Sequence, residues 1–196
     1  MKKHIVFPAL ALGALLMTSA CETPVETQRL PDITFAHLQP FNIDVADIEI
    51  INRYKAPLSA PHVEHRLPVS PASALSRWAG DRLKPVGSTG KLLVIIEDAS
   101  ATENALARDQ SLKGKFTKQQ THRYDFAVRA TLALMDGAGI ERGTVSGAAS
   151  RSVTIREDAS LNDREKTWFD VLDRLMGDFN SEMDANLRQY LATWLR

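Results

Sequence analysis

Two histidines and a glutamate stand close together in His62-Val63-Glu64-His65, and these side chains could begin a metal site. Imidazole and carboxylate groups are ordinary zinc ligands. However, Pro61 and Pro68 lie on either side of the segment and exclude the helix that would bring both imidazoles to one face. The sequence offers no further histidine cluster to complete the ligand set, so we favour a polar loop packed against the domain over a metal site.

Residues 87–91, Gly-Ser-Thr-Gly-Lys, contain the residue types of a phosphate-binding loop, and Ser88 with Lys91 has the S-x-x-K spacing of a serine nucleophile and its base. A phosphate loop needs a serine or threonine after the lysine and a helix behind it, but Leu92 follows and opens a strand. The S-x-x-K arrangement needs the start of a helix, whereas Gly90 predicts a turn. We therefore expect neither phosphate binding nor serine chemistry here.

Glu97 and Asp98 follow an apolar strand and could divide acid and base roles, as paired carboxylates do. Consecutive residues of a regular strand point to opposite faces, so we expect these two not to share a site. One of them is expected to cap a turn or helix near residues 99–107. With no catalytic set assembled, the sequence predicts a protein that is not an enzyme and that uses no cofactor and no metal.

One basic cluster could bind an anionic surface: Lys113, Lys115, Lys118, His122 and Arg123. Lysines beside a charged membrane are each worth about 1 kcal/mol. We predict contact with anionic lipid or with an acidic partner through Lys113, Lys115, Lys118 and Arg123, and the alternative is a solvated loop. The whole chain has 24 basic and 24 acidic residues, and this neutral balance argues against a nucleic acid partner.

The N-terminus has the layout of a secretory signal: basic residues up to His4, an apolar run over residues 5–17, and small residues before Cys21. The apolar run is shorter than the roughly 20 residues that a membrane-spanning helix needs, and Pro8 interrupts it. We therefore predict that residues 1–20 are removed after export.

Cys21 is the only cysteine in the chain, and it stands directly after the predicted cleavage position. The stretch Met17-Thr18-Ser19-Ala20-Cys21 resembles the lipobox of bacterial lipoproteins, although leucine is commoner where Thr18 stands. The resemblance implies that Cys21 carries acyl chains, palmitate among them, and anchors the protein to a membrane. Glu22 in place of aspartate implies the outer rather than the inner membrane. An ordinary signal cut after Ala20 is the alternative.

After the anchor, the chain divides into a tether over residues 21–39 and one domain over residues 40–196. Alternating apolar residues predict a strand from Phe41 to Ile50, with a bulge near Ala46 and Asp47 where the alternation changes phase. Ser70 and Pro71 predict the start of an amphipathic helix that ends before Pro85. The apolar run over residues 92–96 predicts a central strand.

The second half of the chain predicts a hairpin and a long helix. Arg123–Met135 alternates as a strand, Asp136-Gly137 predicts a turn, and residues 145–155 return as the second strand. The helix opens near Asn162, with Glu165 completing a capping box. Its apolar stripe consists of Trp168, Leu172, Leu175, Phe179, Met183, Leu187, Tyr190, Leu191 and Trp194.

These elements predict an α+β fold in which two helices cover one face of a largely antiparallel four-stranded sheet, in the order strand-helix-strand-strand-strand-helix. This topology resembles the lipopolysaccharide-assembly lipoproteins and the auxiliary lipoproteins of ABC transporters. The resemblance implies a periplasm-facing accessory of a Gram-negative envelope, in biogenesis or lipid transport, that docks to a membrane protein. The alternative is a carrier that holds lipid between the long helix and the sheet. A cavity of several hundred Å³ there would favour the carrier, and a solid core would favour docking.

Overall fold

The computed structural model describes residues 30–107, Ser111 and residues 119–196. It confirms the α+β class. The elements in chain order are β1 (Phe41–Ile43), β2 (Asp47–Asn52), α1 (Pro71–Arg82), β3 (Leu83–Pro85), β4 (Lys91–Ala105), β5 (Gln120–Met135), β6 (Glu141–Arg156) and α2 (Leu161–Tyr190), with 3₁₀ turns at Glu64–Arg66 and Ala192–Trp194.

The main sheet has the strand order β2-β4-β5-β6, and both helices pack against one of its faces. The β4–β5 and β5–β6 pairs are antiparallel, as predicted. The β2–β4 pair is parallel, because α1 carries the chain back to the starting end of the sheet between these two strands. The same crossover makes the small β1–β3 pair parallel. The predicted four-stranded, largely antiparallel sheet with two helices on one face is confirmed.

The first predicted strand is two strands in different sheets, so the predicted bulge near Ala46 is wrong. The chain leaves β1 through a tight turn in which the Val45 N–H donates to the Ile43 carbonyl at 2.8 Å. The Ala46 N–H then donates to the Thr89 carbonyl at 3.1 Å as β2 begins beside β4. The change of phase in the apolar pattern therefore marks a change of sheet.

Strand β4 continues to Ala105, so the turn or helix predicted over residues 99–107 is wrong. The register of β4 against β5 shifts between Ile96 and Asp98, which identifies Glu97 as the extra residue of a β-bulge. Beyond the bulge, Ala99 and Ala101 resume the buried face of the strand. Their small side chains are buried in the core, and pairing with β5 continues the strand although this segment has little apolar volume.

Both helices start at side-chain caps. The Ser70 Oγ accepts a hydrogen bond from the Ser73 N–H at 3.2 Å, and Pro71 occupies the first helical position, as predicted. Helix α2 begins two residues before the predicted position, because its N-cap is Ser160 rather than Asn162. Its capping box pairs Ser160 with Asp163 rather than Asn162 with Glu165.

The apolar stripe of α2 faces the sheet, as predicted, over the buried residues Trp168, Leu172, Leu175, Phe179, Met183 and Leu187. Tyr190 is an exception, because its side chain is 62% exposed. The helix ends at Tyr190, and the following 3₁₀ turn brings Leu191 and Trp194 back toward the core.

The segment before β1 packs along the outer side of α1. Ile33 and Phe35 are buried in the core. Asp81 accepts hydrogen bonds from the Phe35 N–H at 2.7 Å and from the Thr34 hydroxyl at 2.8 Å. The chain therefore enters the domain on the helical side of the sheet.

Candidate functional site

Four of the five predicted contact and lipidation residues, Cys21, Lys113, Lys115 and Lys118, lie outside the described residues. Arg123 lies on β5 and is exposed. Its Nε donates to Asp125 Oδ1 at 2.8 Å and its Nη2 donates to Ser152 Oγ at 3.0 Å. The guanidinium thus has partners on its own strand and on β6.

The glycine-rich segment over residues 87–91 forms a turn. Gly90 has a φ of +77°, and a Cβ there would lie 2.6 Å from the Met135 carbonyl oxygen, so both the backbone conformation and the close approach require glycine. The Lys91 Nζ is directed to Glu49, 2.8 Å from its Oε2. The lysine therefore points along the sheet toward β2.

Glu97 and Asp98 lie on the same face of the sheet, so the prediction that they point to opposite faces is wrong. The bulge at Glu97 interrupts the alternation. Glu97 Oε1 accepts a hydrogen bond from the Thr131 hydroxyl at 3.1 Å, while Asp98 stands directly opposite Arg129 in the strand register. Both carboxylates belong to the face that the helices leave uncovered.

Glu64 is the centre of a buried polar group that joins the loop before α1 to β4. Its side chain is 5% exposed, and its Oε1 accepts hydrogen bonds from the Tyr54 hydroxyl at 2.5 Å and from the Ala101 N–H at 3.0 Å. The Nδ1 of His62 lies 2.9 Å from the same oxygen. His65, which we considered as a second metal ligand, is exposed and takes no part.

A second group of polar side chains continues from the first along β4. Glu103 Oε2 accepts a hydrogen bond from Arg66 Nη1 at 2.8 Å, and its Oε1 accepts one from the Tyr124 hydroxyl. Arg164 of α2 lies 3.4 Å from the same hydroxyl. Tyr124 in turn makes an edge contact with Trp168. We call the residues Tyr54, His62, Glu64, Arg66, Glu103 and Tyr124 the Glu64–Glu103 cluster.

The electrostatics keep both glutamates of the cluster ionised. Burial alone would raise the pKa of Glu64, but the hydrogen bonds from Tyr54, His62 and Ala101 outweigh it and hold the pKa below its ordinary value. In the same way, burial is outweighed at Glu103 by the bonds from Tyr124 and Arg66, and the pKa is lowered. Burial and the Glu103 carboxylate together raise the pKa of Tyr124 to about 12.

The cluster fastens the segment over residues 54–66 to the part of β4 that β2 does not reach. The Val63 N–H donates to the Ala101 carbonyl at 2.9 Å, and the Glu103 N–H donates to the Pro61 carbonyl at 2.8 Å. A carboxylate with a low pKa that already accepts several hydrogen bonds is a weak base. The arrangement is therefore suited to holding the loop in place, and sequence reasoning missed it because its partners come from distant segments.

This assignment predicts a pH-dependent stability. A carboxylate whose pKa is lower in the folded state stabilises the fold above its unfolded pKa, near the ordinary 4.5, and loses that contribution as pH falls through the folded pKa. Replacing Glu64 with glutamine should lower the free energy of unfolding at pH 6 by roughly 1 to 3 kcal/mol. In this variant, the free energy of unfolding should also fall less between pH 6 and pH 3 than in the parent chain. Urea unfolding at several pH values measures both.

The matched control is Glu141→Gln on exposed β6, which should change the free energy of unfolding at pH 6 by less than about 0.5 kcal/mol. An acid slope in the Glu64→Gln variant as steep as in the parent chain would contradict this role for Glu64.

The surface of the described part of the chain has several depressions, and two of them are grooves next to a helix, neither of which lies beneath the buried stripe of α2. One, of about 680 Å³, runs along the outer side of α1 and is lined by Asn52, Ser73, Ser76, Arg77 and Asp81 among others. The other, of about 300 Å³, lies between β6 and the first half of α2. Within the stripe, helix and sheet are in close contact, since a Cβ on Gly147 would lie only 3.0 Å from Met183 Cε and 3.4 Å from Phe179 Cε2.

Comparisons with known proteins give distant likenesses. No protein-family model matches the chain, and no curated protein matches it. Among solved structures, it is similar to a minor lipoprotein from Acinetobacter baumannii, with a TM-score of 0.38 and 14% identity over 78% of this chain and 96% of that one. It is also similar to a neuraminyllactose-binding hemagglutinin homologue from Helicobacter pylori, with a TM-score of 0.29 and 8% identity over 76% of this chain and 92% of that one. At this distance neither likeness bears on function.

Proposed function

We propose that this chain is a lipid-anchored protein of the bacterial envelope that faces the periplasm and acts by docking, without catalysis. The observation that carries the proposal is the N-terminal sequence, in which basic residues, an apolar run and small residues lead to the single Cys21. Several acyl chains on that cysteine would anchor the protein firmly, since each buried methylene contributes about 0.8 kcal/mol. Neither helix in the described part of the chain is long and apolar enough to cross a membrane.

The length of chain between anchor and domain limits where the protein can act. From Cys21 to Leu30, where the described structure begins, an extended chain spans at most about 30 Å. A domain held this close to the bilayer meets membrane proteins more readily than soluble ones. We therefore propose an accessory role in envelope biogenesis or lipid transport, with a membrane protein of the envelope, the outer membrane in the first place, as the partner.

We also propose that the protein is not an enzyme. The hydrogen bonds that the carboxylates of the Glu64–Glu103 cluster already accept support this part of the proposal. The two carboxylates each accept hydrogen bonds from a tyrosine and from further donors, and both have lowered pKa values. They serve as acceptors that hold a loop. Docking, by contrast, needs an exposed surface and a tether, and the sequence supplies both.

The alternative function, a lipid carrier with a cavity under α2, is less well supported. The side chains of Leu175, Met176 and Phe179 are fully buried, and α2 touches β6 closely at Gly147. A lipid chain could enter here only if the helix moved away from the sheet. The groove of about 300 Å³ between β6 and the first half of α2 is lined mainly by charged and hydroxyl-bearing side chains, such as Arg151, Thr167 and Asp170, and suits an acyl chain poorly. The packing under the buried stripe therefore favours docking.

The basic segment is the first surface to test for docking. Replacing Lys113, Lys115 and Lys118 with glutamate reverses its charge, and we expect envelope function and co-purification with a membrane partner to weaken. The loss should be greater at low ionic strength, because unscreened charge acts over about 30 Å at 0.01 M salt and about 8 Å at 0.15 M. Stability should change by less than about 0.5 kcal/mol, because each substitution exchanges one charged side chain for another and removes no apolar residue.

A control variant replaces Lys55, Lys166 and Arg174 with glutamate, which gives the same change of charge. These three residues are exposed elsewhere on the domain. This variant should complement a deletion strain. If the Lys113, Lys115 and Lys118 variant also complements fully and retains every partner, the basic segment is a solvated loop, and docking through it is ruled out.

A further inference from the structure

The face of the main sheet that lies opposite the helices carries small side chains on β5 and β6 and larger apolar ones, Leu93 and Ile95, on β4. We call it the outer face. Both α1 and α2 pack on the other side of the sheet. On β5 and β6 this face consists mainly of small and hydroxyl-bearing residues: Ala127, Thr131, Ala133, Thr144, Ser146, Ala148, Ser150, Ser152 and Thr154. Small side chains lose little rotamer freedom when they are covered, so such a face suits close contact with a second surface.

Arg129 stands near the centre of the outer face, and its side chain is exposed. In the strand register it lies between Asp98 of β4 and Ala148 of β6. Shallow depressions of about 230 and 170 Å³ border it on its two sides. Among the described residues, its guanidinium makes no hydrogen bond and no ion pair, although Asp98 stands directly across from it on the neighbouring strand.

Two carboxylates next to Arg129 are also without an ion-pair partner in the described structure. Glu97 accepts a hydrogen bond from the Thr131 hydroxyl, and Asp98 accepts one from the Ser100 N–H. By contrast, the charges toward the two ends of the face are paired within the chain, Arg123 with Asp125 and Lys91 with Glu49. Charges of both signs that have no ion-pair partner within the described structure therefore lie together in the middle of the face.

We infer that the outer face binds a second copy of this chain, with Arg129 of each copy paired to Asp98 and Glu97 of the other. The sheet order β2-β4-β5-β6 places the centre of the sheet between β4 and β5, which is also between Asp98 and Arg129. We place a twofold axis above the outer face, parallel to the strands and midway between β4 and β5. This axis stacks β4 of each copy over β5 of the other. Such an interface is self-complementary, because each contact occurs twice.

The size of the face agrees with this occupant. With the axis between β4 and β5, the two long strands overlap along their length, and β6 of one copy covers only the six-residue strand β2 of the other. At about 4.8 Å between strands and about 3.3 Å per residue, this overlap is roughly 650 Å² on each copy. Stable protein interfaces bury about 800 Å² on each partner. Two such sheets packed about 10 Å apart would form a β-sandwich, and small side chains between them allow an arginine to reach the facing carboxylate.

The position of the described N-terminal residues is compatible with pairing of this face. Residues 32–35 pack on α1, on the opposite side of the sheet, so this part of the tether does not cross the outer face. A twofold axis parallel to the strands could also be perpendicular to a membrane. The N-terminal segments of the two copies would then lie at the same distance from that membrane. The inference does not depend on lipidation, and a failure of the pairing would leave the proposed anchor untouched.

A charge-reversal series on the full chain tests the pairing. We would purify the protein in mild detergent and measure its mass by size-exclusion chromatography with light scattering, at micromolar concentration and low salt. The parent chain should be a dimer. Arg129→Glu and Asp98→Arg should each raise the dimer dissociation constant roughly 100-fold, because like charges then face each other. The double variant, Arg129→Glu with Asp98→Arg, should restore the dimer.

Arg174→Glu is the matched control, since it makes the same charge change at an exposed position of α2. It should leave the dimer intact, and circular dichroism should show every variant to be folded. A monomeric parent chain would overturn the inference, as would a dimer that Arg129→Glu leaves unchanged. Loss of a different protein from the parent complex on Arg129→Glu, with a monomeric parent chain, would assign the face to that protein and also overturn it.

Discussion

Replacing Phe179 with alanine is expected to lower the free energy of unfolding by roughly 3 to 5 kcal/mol, because the change removes buried apolar surface and leaves a cavity. Phe179 is fully buried in the middle of α2. Its ring makes an edge contact with Trp78 of α1, with ring centroids 5.0 Å apart, and it also packs against Gly147 of β6. Phe179 thus contacts the other helix and the sheet. The cavity left by alanine could therefore close only if both helices and the sheet moved together.

Urea unfolding followed by circular dichroism measures this effect. For a domain of this size, the same loss should lower the melting temperature by roughly 6 to 20 °C. The matched control is Tyr190→Ala, which removes an exposed aromatic side chain from the end of the same helix and should cost less than about 0.5 kcal/mol. A loss below about 1 kcal/mol for Phe179→Ala would contradict the close packing of α2 on the sheet.

The parts of the fold that could be predicted from the sequence are those with a strong local period. Alternate residues of β5 from Tyr124 to Leu134 are buried, as their apolar pattern indicated. The turn after Met135 follows from Asp136, whose carboxylate accepts the N–H groups of Ala138 and Ile140 at 2.9 Å each. Both helices carry local start signals and an apolar stripe. In each case the information lies within a few residues of the element that it determines.

The wrong predictions occur where distant contacts decide the structure. The change from β1 to β2 depends on pairing with β3 and β4, which follow much later in the chain. The continuation of β4 past Glu97 depends on β5 as its partner, and the bulge that brings Glu97 and Asp98 to one face exists only in that pair. Tyr190 has the right spacing for the buried stripe, but the helix ends at that residue.

The polar cluster could be anticipated only in part. The sequence placed His62 and Glu64 together in a polar loop, and the structure finds them in contact. The other donors to Glu64 are the hydroxyl of Tyr54 and the N–H of Ala101, and neither pattern nor spacing connects them to it. Hydrogen bonds between segments far apart in sequence leave no periodic signal in the chain. The prolines on either side of Glu64 and the nearby Arg66 are at most a weak indication of the cluster.

Replacing Cys21 with serine should move nearly all of the protein from the membrane fraction to the soluble periplasmic fraction. Serine has no thiol for the acyl chains, and without them the remaining attraction of the domain for a bilayer is weak. The domain should stay folded, because the described contacts of the N-terminal segment with the core begin at Leu30, nine residues after Cys21. The free energy of unfolding should therefore change by less than about 0.5 kcal/mol.

The fractionation of the Cys21→Ser variant tests the proposed function most directly, with Thr23→Ser as a neighbouring control that keeps the cysteine. Cells that express each variant are separated into membrane and soluble fractions, and the mass of the N-terminal peptide is measured in both. We expect the parent chain and Thr23→Ser to remain in the membrane fraction with an acylated peptide that begins at Cys21. We expect Cys21→Ser to be in the soluble fraction. Equal membrane association of Cys21→Ser and the parent chain, or a parent peptide without acyl chains, would contradict the proposed function.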